Sequence, residues 1–259
     1  MHAAPNSINW PSRLKAASVH LGASALLAAL VATTVFGLWF PGLYRHLSGG
    51  TELFILVVGV DLALGPLITL VIFDRRKPLA ELRRDVAIIV ALQLSALGYG
   101  LYMVSMSRPV VLALEQDRFR VVAASGVYEK ELPQAQSGLG SLSLTGPLLL
   151  RSVEPPSDQK LESVALGLSG FDIGTRPSLW RVWDEEARAE ALAHAKPLTR
   201  LSQRYPGLRG ELDAAVGATG LAAQEVMYLP MITFRGSWVA LLNAASGDVV
   251  GFAPLDGFF

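Results

Sequence analysis

Between Leu53 and Phe73 the chain runs for 21 residues with a single charged side chain, Asp61. Roughly 20 mainly apolar residues suffice to cross a bilayer as a helix. A carboxylate in the middle of such a span costs about 2.5–3.5 kcal/mol on insertion scales. The rest of the chain, or a partner, has to make Asp61 tolerable, and Gly65-Pro66 four residues later adds a second departure from a plain apolar helix.

Two further apolar runs flank this one, from about Ala16 to Phe40 and from about Val86 to Met106. The first is longer than the apolar core of a cleaved secretory signal, about 7–15 residues, so it reads as a retained helix. Trp39, Phe40 and Tyr44 at its end read as an aromatic belt at the membrane surface. Arg13, Lys15, Arg75, Arg76, Lys77, Arg83 and Arg84 lie on one side of the three spans, whereas the 41–52 connection carries only Arg45. Positive charge stays on the cytoplasmic side. This predicts a cytoplasmic segment over 1–15, a three-helix membrane domain over 16–106 with spans at about 16–40, 53–73 and 86–106, and a domain over 107–259 on the far side. In a bacterium the membrane would be the inner one and the far side the periplasm.

The composition agrees with the membrane reading. Of the 259 residues 51% are hydrophobic and 17% charged, and mean hydropathy is +0.40, against about 25% charged in ordinary soluble domains. Residues 1–109 carry net +4 and residues 110–259 net −4. Neither half has the basic face of a nucleic-acid binder. The absence of cysteine rules out disulfides, thiolate metal sites and cysteine nucleophiles.

Within the spans, Asp61, Gly65 and Thr69 share one helix face, spaced i, i+4, i+8. The third run offers Gln93, Ala96 and Gly100, with Tyr99 at the edge. Counted inward from the outer ends, Tyr99 stands level with Asp61 and Gln93 level with Pro66. This predicts a Tyr99 hydrogen bond to Asp61. It also predicts a Gln93 amide donating to the Leu62 carbonyl, which Pro66 leaves without its helical partner. A structural role for Asp61 comes first, a contact with a partner's transmembrane helix second, and a proton or ion relay third, because a relay needs several ionisable groups in series.

Beyond Arg108-Pro109 the pattern changes to that of a small α+β domain. Strands are expected at Val110–Glu115 and Phe119–Val122 around Asp117-Arg118, and again at Met227–Phe234, Trp238–Leu242 and Val249–Phe252 as consecutive hairpins. Residues 123–183 read as loops with short strands. A helix is expected over 184–195, stopped by Pro197, and a second across Leu208, Leu212 and Val216. No catalytic constellation emerges. His2, His20, His46 and His194 form no ligand-spaced pair, so neither a metal nor a cofactor is expected. Asp184-Glu185-Glu186 reads as an acidic helix start.

Several segments together resemble the type IV pilin accessory proteins of the TfpX/TfpZ family. They are Phe40-Pro-Gly-Leu-Tyr44 with Gly49-Gly50, Val60-Asp61-Leu-Ala-Leu-Gly65-Pro66, Leu92-Gln93, Ala96-Leu97, Tyr99-Gly100, Arg108-Pro109, Asp117-Arg118-Phe119, Tyr228-Leu-Pro230, Trp238-Val-Ala-Leu-Leu and Gly247 through Asp256. The resemblance implies a non-enzymatic, chaperone-like helper in the inner membrane. Its partners would be a type IV major pilin, met through the transmembrane helix and the head domain, and the lipid bilayer. Asp61, Gly65, Pro66, Gln93, Tyr99, Arg108, Asp117 and Arg118 are the candidate structural or partner-binding residues. Two other classes compete: a membrane-anchored sensor, for which the cytoplasmic segments are short, and a membrane enzyme using Asp61, which lacks a second convergent acid or base.

Overall fold

The computed structural model describes residues 9–259, and the chain divides into two compact units. One takes in the chain up to Gly37 together with Thr51–Ser105. The other joins Leu38–Gly50 to Met106–Phe259.

The first unit is helical. Helix α1 spans Trp10–Thr34 and continues as a π-helical turn over Val35–Trp39. It begins six residues ahead of the expected Ala16 because Asn9 caps it, accepting from the Ser12 amide at 3.3 Å, with Pro11 in the first turn. Arg13 and Lys15 therefore lie on the helix. Of the expected 1–15 segment, residues 1–8 fall outside the described residues. A single turn, α2 (Tyr44–Leu47), interrupts the connection to α3 (Gly50–Ile72), and α4 follows over Leu79–Ser107. The charged stretch ahead of Val86 joins α4 because Glu81 sits in its first turn and Lys77 reaches back to Asp85 at 2.6 Å and Glu81 at 3.5 Å.

With its π-helical extension, α1 is long and apolar enough to cross a membrane, as are α3 and α4. Their outward faces present Leu26, Leu30, Ile55, Leu56, Val71 and Leu92 at 61–70% exposure. Arg13 donates to the carbonyls of Val71 at 2.9 Å and Leu70 at 3.4 Å, satisfying the last turn of α3, where helical partners run out. Helices α3 and α4 approach closely at Gly100, where a Cβ would come within 2.5 Å of Val57.

The second unit is an eight-stranded mixed sheet. Its strands are β1 Pro109–Glu115, β2 Arg118–Ala123, β3 Leu148–Ser152, β4 Trp180–Val182, β5 Lys196–Pro197, β6 Val226–Ile232, β7 Ser237–Asn243 and β8 Val249–Ala253. The order is β4-β3-β1-β2-β6-β7-β8, with β5 on β6. The β1–β2 pair and the β6–β7–β8 meander fall where the strands and turns were expected from the sequence. The parallel pairing β2–β6 joins them into one sheet, and the parallel pairing β1–β3 extends it to β3 and β4.

Four helices accompany the strands: α5 Lys160–Leu168, α6 Glu185–His194, α7 Leu198–Arg204 and α8 Arg209–Gly217. Asp184 caps α6, accepting from the Ala187 amide at 2.9 Å. Helices α5 and α7 are additional to the sequence reading. Helix α6 ends at His194 with Ala195 as its C-cap, two residues ahead of Pro197. Pro197 forms the end of β5 and the entry to α7.

Successive residues of β6 and β7 point to opposite faces, as a pleated strand requires. Tyr228, Val239 and Leu241 pack with Leu201 of α7 and with Leu212 and Val216 of α8. On the other face Leu229, Met231, Ala240 and Leu242 pack with Phe119, Ala191 of α6 and Leu47 of α2.

The last of these overturns one expectation. The connection between α1 and α3, expected as a short loop behind a membrane-surface belt of Trp39, Phe40 and Tyr44, is packed into the sheet unit. Leu47 is fully buried among sheet residues, its carbonyl accepts from the Arg235 amide at 3.3 Å, and Tyr44 stacks edge-on against Phe252 with ring centroids 5.5 Å apart. Phe40 is fully buried, with Gly50 so close that a Cβ there would lie 2.5 Å from the ring. The apolar face of the sheet needs a cover, and the aromatic and leucine side chains of this connection supply part of it.

Candidate functional site

The polar seam of the helical unit is built on the face of α3 that carries Asp61, Gly65 and Thr69. Gly65 and Thr69 are buried there, and Asp61 is half-buried. The Gln93 amide of α4 donates to Asp61 Oδ1 at 3.1 Å and reaches the Asp61 carbonyl at 3.5 Å. Gly65 makes this possible, because a Cβ at that position would overlap the Gln93 amide nitrogen. A turn further along α3, Thr69 Oγ1 lies 2.5 Å from Nδ1 of His20 on α1. Two helices thus each bring one polar side chain to the floor that α3 provides. In a low-dielectric surrounding such pairing offsets the desolvation that an isolated polar group would suffer.

Three of the sequence candidates, Asp61, Gly65 and Gln93, meet here. Pro66 lies inside α3 next to them. The Gln93 donor goes to Asp61 and not to the Leu62 carbonyl.

Tyr99 does not meet Asp61. It is 67% exposed on another face of α4. The depth count placed it at the right level, but six residues from Gln93 turn a helix by about 600°, roughly 120° off Gln93's own face. The face of α4 that is buried runs through Ile89, Leu97 and Val104, and Ala96 is exposed.

The remaining candidates belong to the sheet unit and stand at opposite ends of the β1–β2 hairpin. Arg108 precedes β1 and donates through Nε to the Ser143 carbonyl at 3.1 Å. Partial burial holds its guanidinium below the usual arginine range. Asp117 lies in the two-residue turn with Gln116 and Arg118 opens β2; the two are paired at 2.8 Å, and the Arg118 guanidinium sits 5.7 Å from the centre of the Phe258 ring. Against β8, burial pushes the Tyr44 phenol well above the usual tyrosine range, in keeping with its place against Phe252.

Sequence reading missed the His20–Thr69 pair. Its members are 49 residues apart, so no spacing rule applies, and only the packing of α1 on α3 joins them. Beside the seam, α1 and α4 leave a groove of about 530 Å³ with Asp61, Thr69, His20 and Gln93 in its lining and Lys15 and Arg75 at one end. Among the described residues no group of three His, Cys, Asp or Glu side chains is placed to hold a metal ion.

Fold and site together define a class of chain: three apolar helices of membrane-crossing length, knit by polar contacts, followed by a small mixed-sheet domain. The family model for "Fimbrial assembly protein FimB" matches residues 8–49, which are α1 and the connection built into the sheet unit. The chain is 31% identical over 232 residues to the fimbrial assembly protein of serogroup I from Dichelobacter nodosus, covering 88% of this chain and 90% of that protein. It is likewise 31% identical over 233 residues to the serogroup E1 protein, with 88% and 90% covered. Against the protein of serogroups C1 and C2 the identity is 36% over 121 residues, 47% of this chain and 92% of that protein. No solved structure matches the chain. The chain belongs to the fimbrial assembly protein family and has a role in fimbrial biogenesis.

Proposed function

We propose that the protein is a non-enzymatic, chaperone-like accessory protein of the bacterial inner membrane that assists the stability or assembly of a type IV pilin, as the TfpX/TfpZ accessory proteins do. The observation that carries this reading is the 31% identity to fimbrial assembly proteins across 90% of their length. In this reading α1, α3 and α4 span the bilayer, the start of α1, the 73–78 connection and the start of α4 face the cytoplasm, and the mixed-sheet domain is periplasmic.

The distribution of positive charge supports that orientation, and the fold supports three crossings. The cations Arg13, Lys15, Arg75, Arg76, Lys77, Arg83 and Arg84 gather at the ends assigned to the cytoplasm. The α1–α3 connection, which three spans would put on the same side as everything after α4, is built into the same sheet unit as residues 106–259.

A pilin awaiting assembly presents an apolar helix in the membrane and a folded head outside it. The accessory protein has a part at each level. Crosslinking in living cells with a short amine- and carboxyl-reactive reagent, followed by capture of the full-length tagged protein from solubilised membranes, tests the contact. The account expects an adduct containing this chain and the pilin. Abundant pilin with no such adduct contradicts it.

A further inference from the structure

The groove between α1 and α4 has a charge at one end that the three-helix packing does not use. Lys15 and Arg75 line that end, both are exposed, and among the described residues neither enters an ion pair. The neighbouring cations are committed: Arg13 to the end of α3 and to Asp74, Lys77 to Asp85 and Glu81.

From that end the lining turns apolar, with Val19 and Leu27 from α1 and Val86, Val90, Leu94 and Leu97 from α4. Four of the polar side chains met on the way are bonded in pairs, His20 to Thr69 and Gln93 to Asp61, and Ser24 adds one hydroxyl. Asp61 is the one carboxylate in the lining, and it lies toward the deep end.

From Lys15 to Leu27 the groove runs about 18 Å at 1.5 Å rise per residue, close to the ~15 Å of one leaflet of a ~30 Å hydrocarbon core. Its volume of about 530 Å³ falls among ligand-sized sites, roughly 300–1,000 Å³.

We infer that this groove holds one anionic phospholipid of the leaflet in which α1 begins. The phosphate sits between Lys15 and Arg75, and an acyl chain lies along the apolar wall between α1 and α4. Basic pockets between helices at a membrane surface suit anionic headgroups. An acyl chain needs no hydrogen-bonding partner from a wall that is mainly apolar and whose His20, Thr69, Gln93 and Asp61 side chains are bonded in pairs. The inference rests on the membrane reading of the three helices and is independent of which pilin is served.

The test is native mass spectrometry of the full-length protein reconstituted in nanodiscs of phosphatidylglycerol and phosphatidylethanolamine. The expected result is one retained phosphatidylglycerol, held at least tenfold more often than phosphatidylethanolamine. The double substitution Lys15→Gln with Arg75→Gln removes that preference. Ala23→Trp, which fills the groove from α1, removes the bound lipid altogether while helicity is kept.

Equal retention of the two lipids, or an unchanged preference in the double variant, overturns the inference. So does a photo-crosslinker at Ala23 that captures a membrane polypeptide in place of lipid, because the groove is then a docking site for a helix. Release of the protein from membranes by alkaline carbonate overturns the membrane reading itself, and is distinguishable from failure of the lipid alone.

Discussion

Gln93 is the residue on which the helical unit's polar seam depends most directly, because its amide ties α4 to Asp61, the carboxylate in the middle of α3. Hydrogen bonds between membrane helices contribute about 0.6 kcal/mol on average and about 1.7 kcal/mol at most. Gln93→Leu is expected to destabilise the helical unit by an amount in that range, read from thermal melting in detergent micelles. Asp61→Asn keeps an acceptor for the amide and should melt near the wild type. If Asp61→Asn costs as much as Gln93→Leu, the negative charge matters and the structural reading of Asp61 is wrong. The spacing of Asp61, Gly65 and Thr69 made this face of α3 legible in the sequence. Tyr99 was misassigned because a depth count fixes height in the membrane and says nothing of the angle around the helix. His20 was invisible as a contact because its partner lies on another helix.

Among the elements, the connection containing α2 departs furthest from what its sequence announces. Its length and aromatic residues read as a membrane-surface loop, yet Leu47 is buried in the sheet and Phe40 is held by Gly50. Leu47→Ala is therefore expected to cost the sheet unit about 2–5 kcal/mol, as truncation of a buried leucine does. A residue on a free loop would change stability by no more than about 0.5 kcal/mol. Denaturant unfolding followed by tryptophan fluorescence separates the two. Long periodic elements such as α3 and the β6–β7–β8 meander were legible because their patterns are local. The parallel pairs β1–β3 and β2–β6 were not, since their partners are separated by whole elements. Helix α5 escaped notice for a related reason: Leu161 and Leu168 are more than four-fifths exposed, so it lacks the buried stripe that marks a helix in sequence.

For the molecule as a whole, the charge difference between net +4 in residues 1–109 and net −4 in 110–259 follows the division into a helical part and a sheet part closely. In the proposed topology the cations at the helix ends set the orientation, and the proposed lipid site would use two of them. Family membership adds what no distance in the structure supplies, the link to fimbriae. That link was legible in advance only through motifs scattered from Phe40 to Asp256, because residues 124–225 contribute little to the resemblance.

The measurement that bears most directly on the account is the amount of total pilin and of surface pili in a clean deletion strain of the source organism, with and without the gene restored. The account predicts loss of surface pili on deletion and their return on restoration. Disappearance of the pilin monomer as well would mark a stabilising chaperone, and its persistence a role at assembly. Unchanged pilin together with unchanged surface pili would contradict the account.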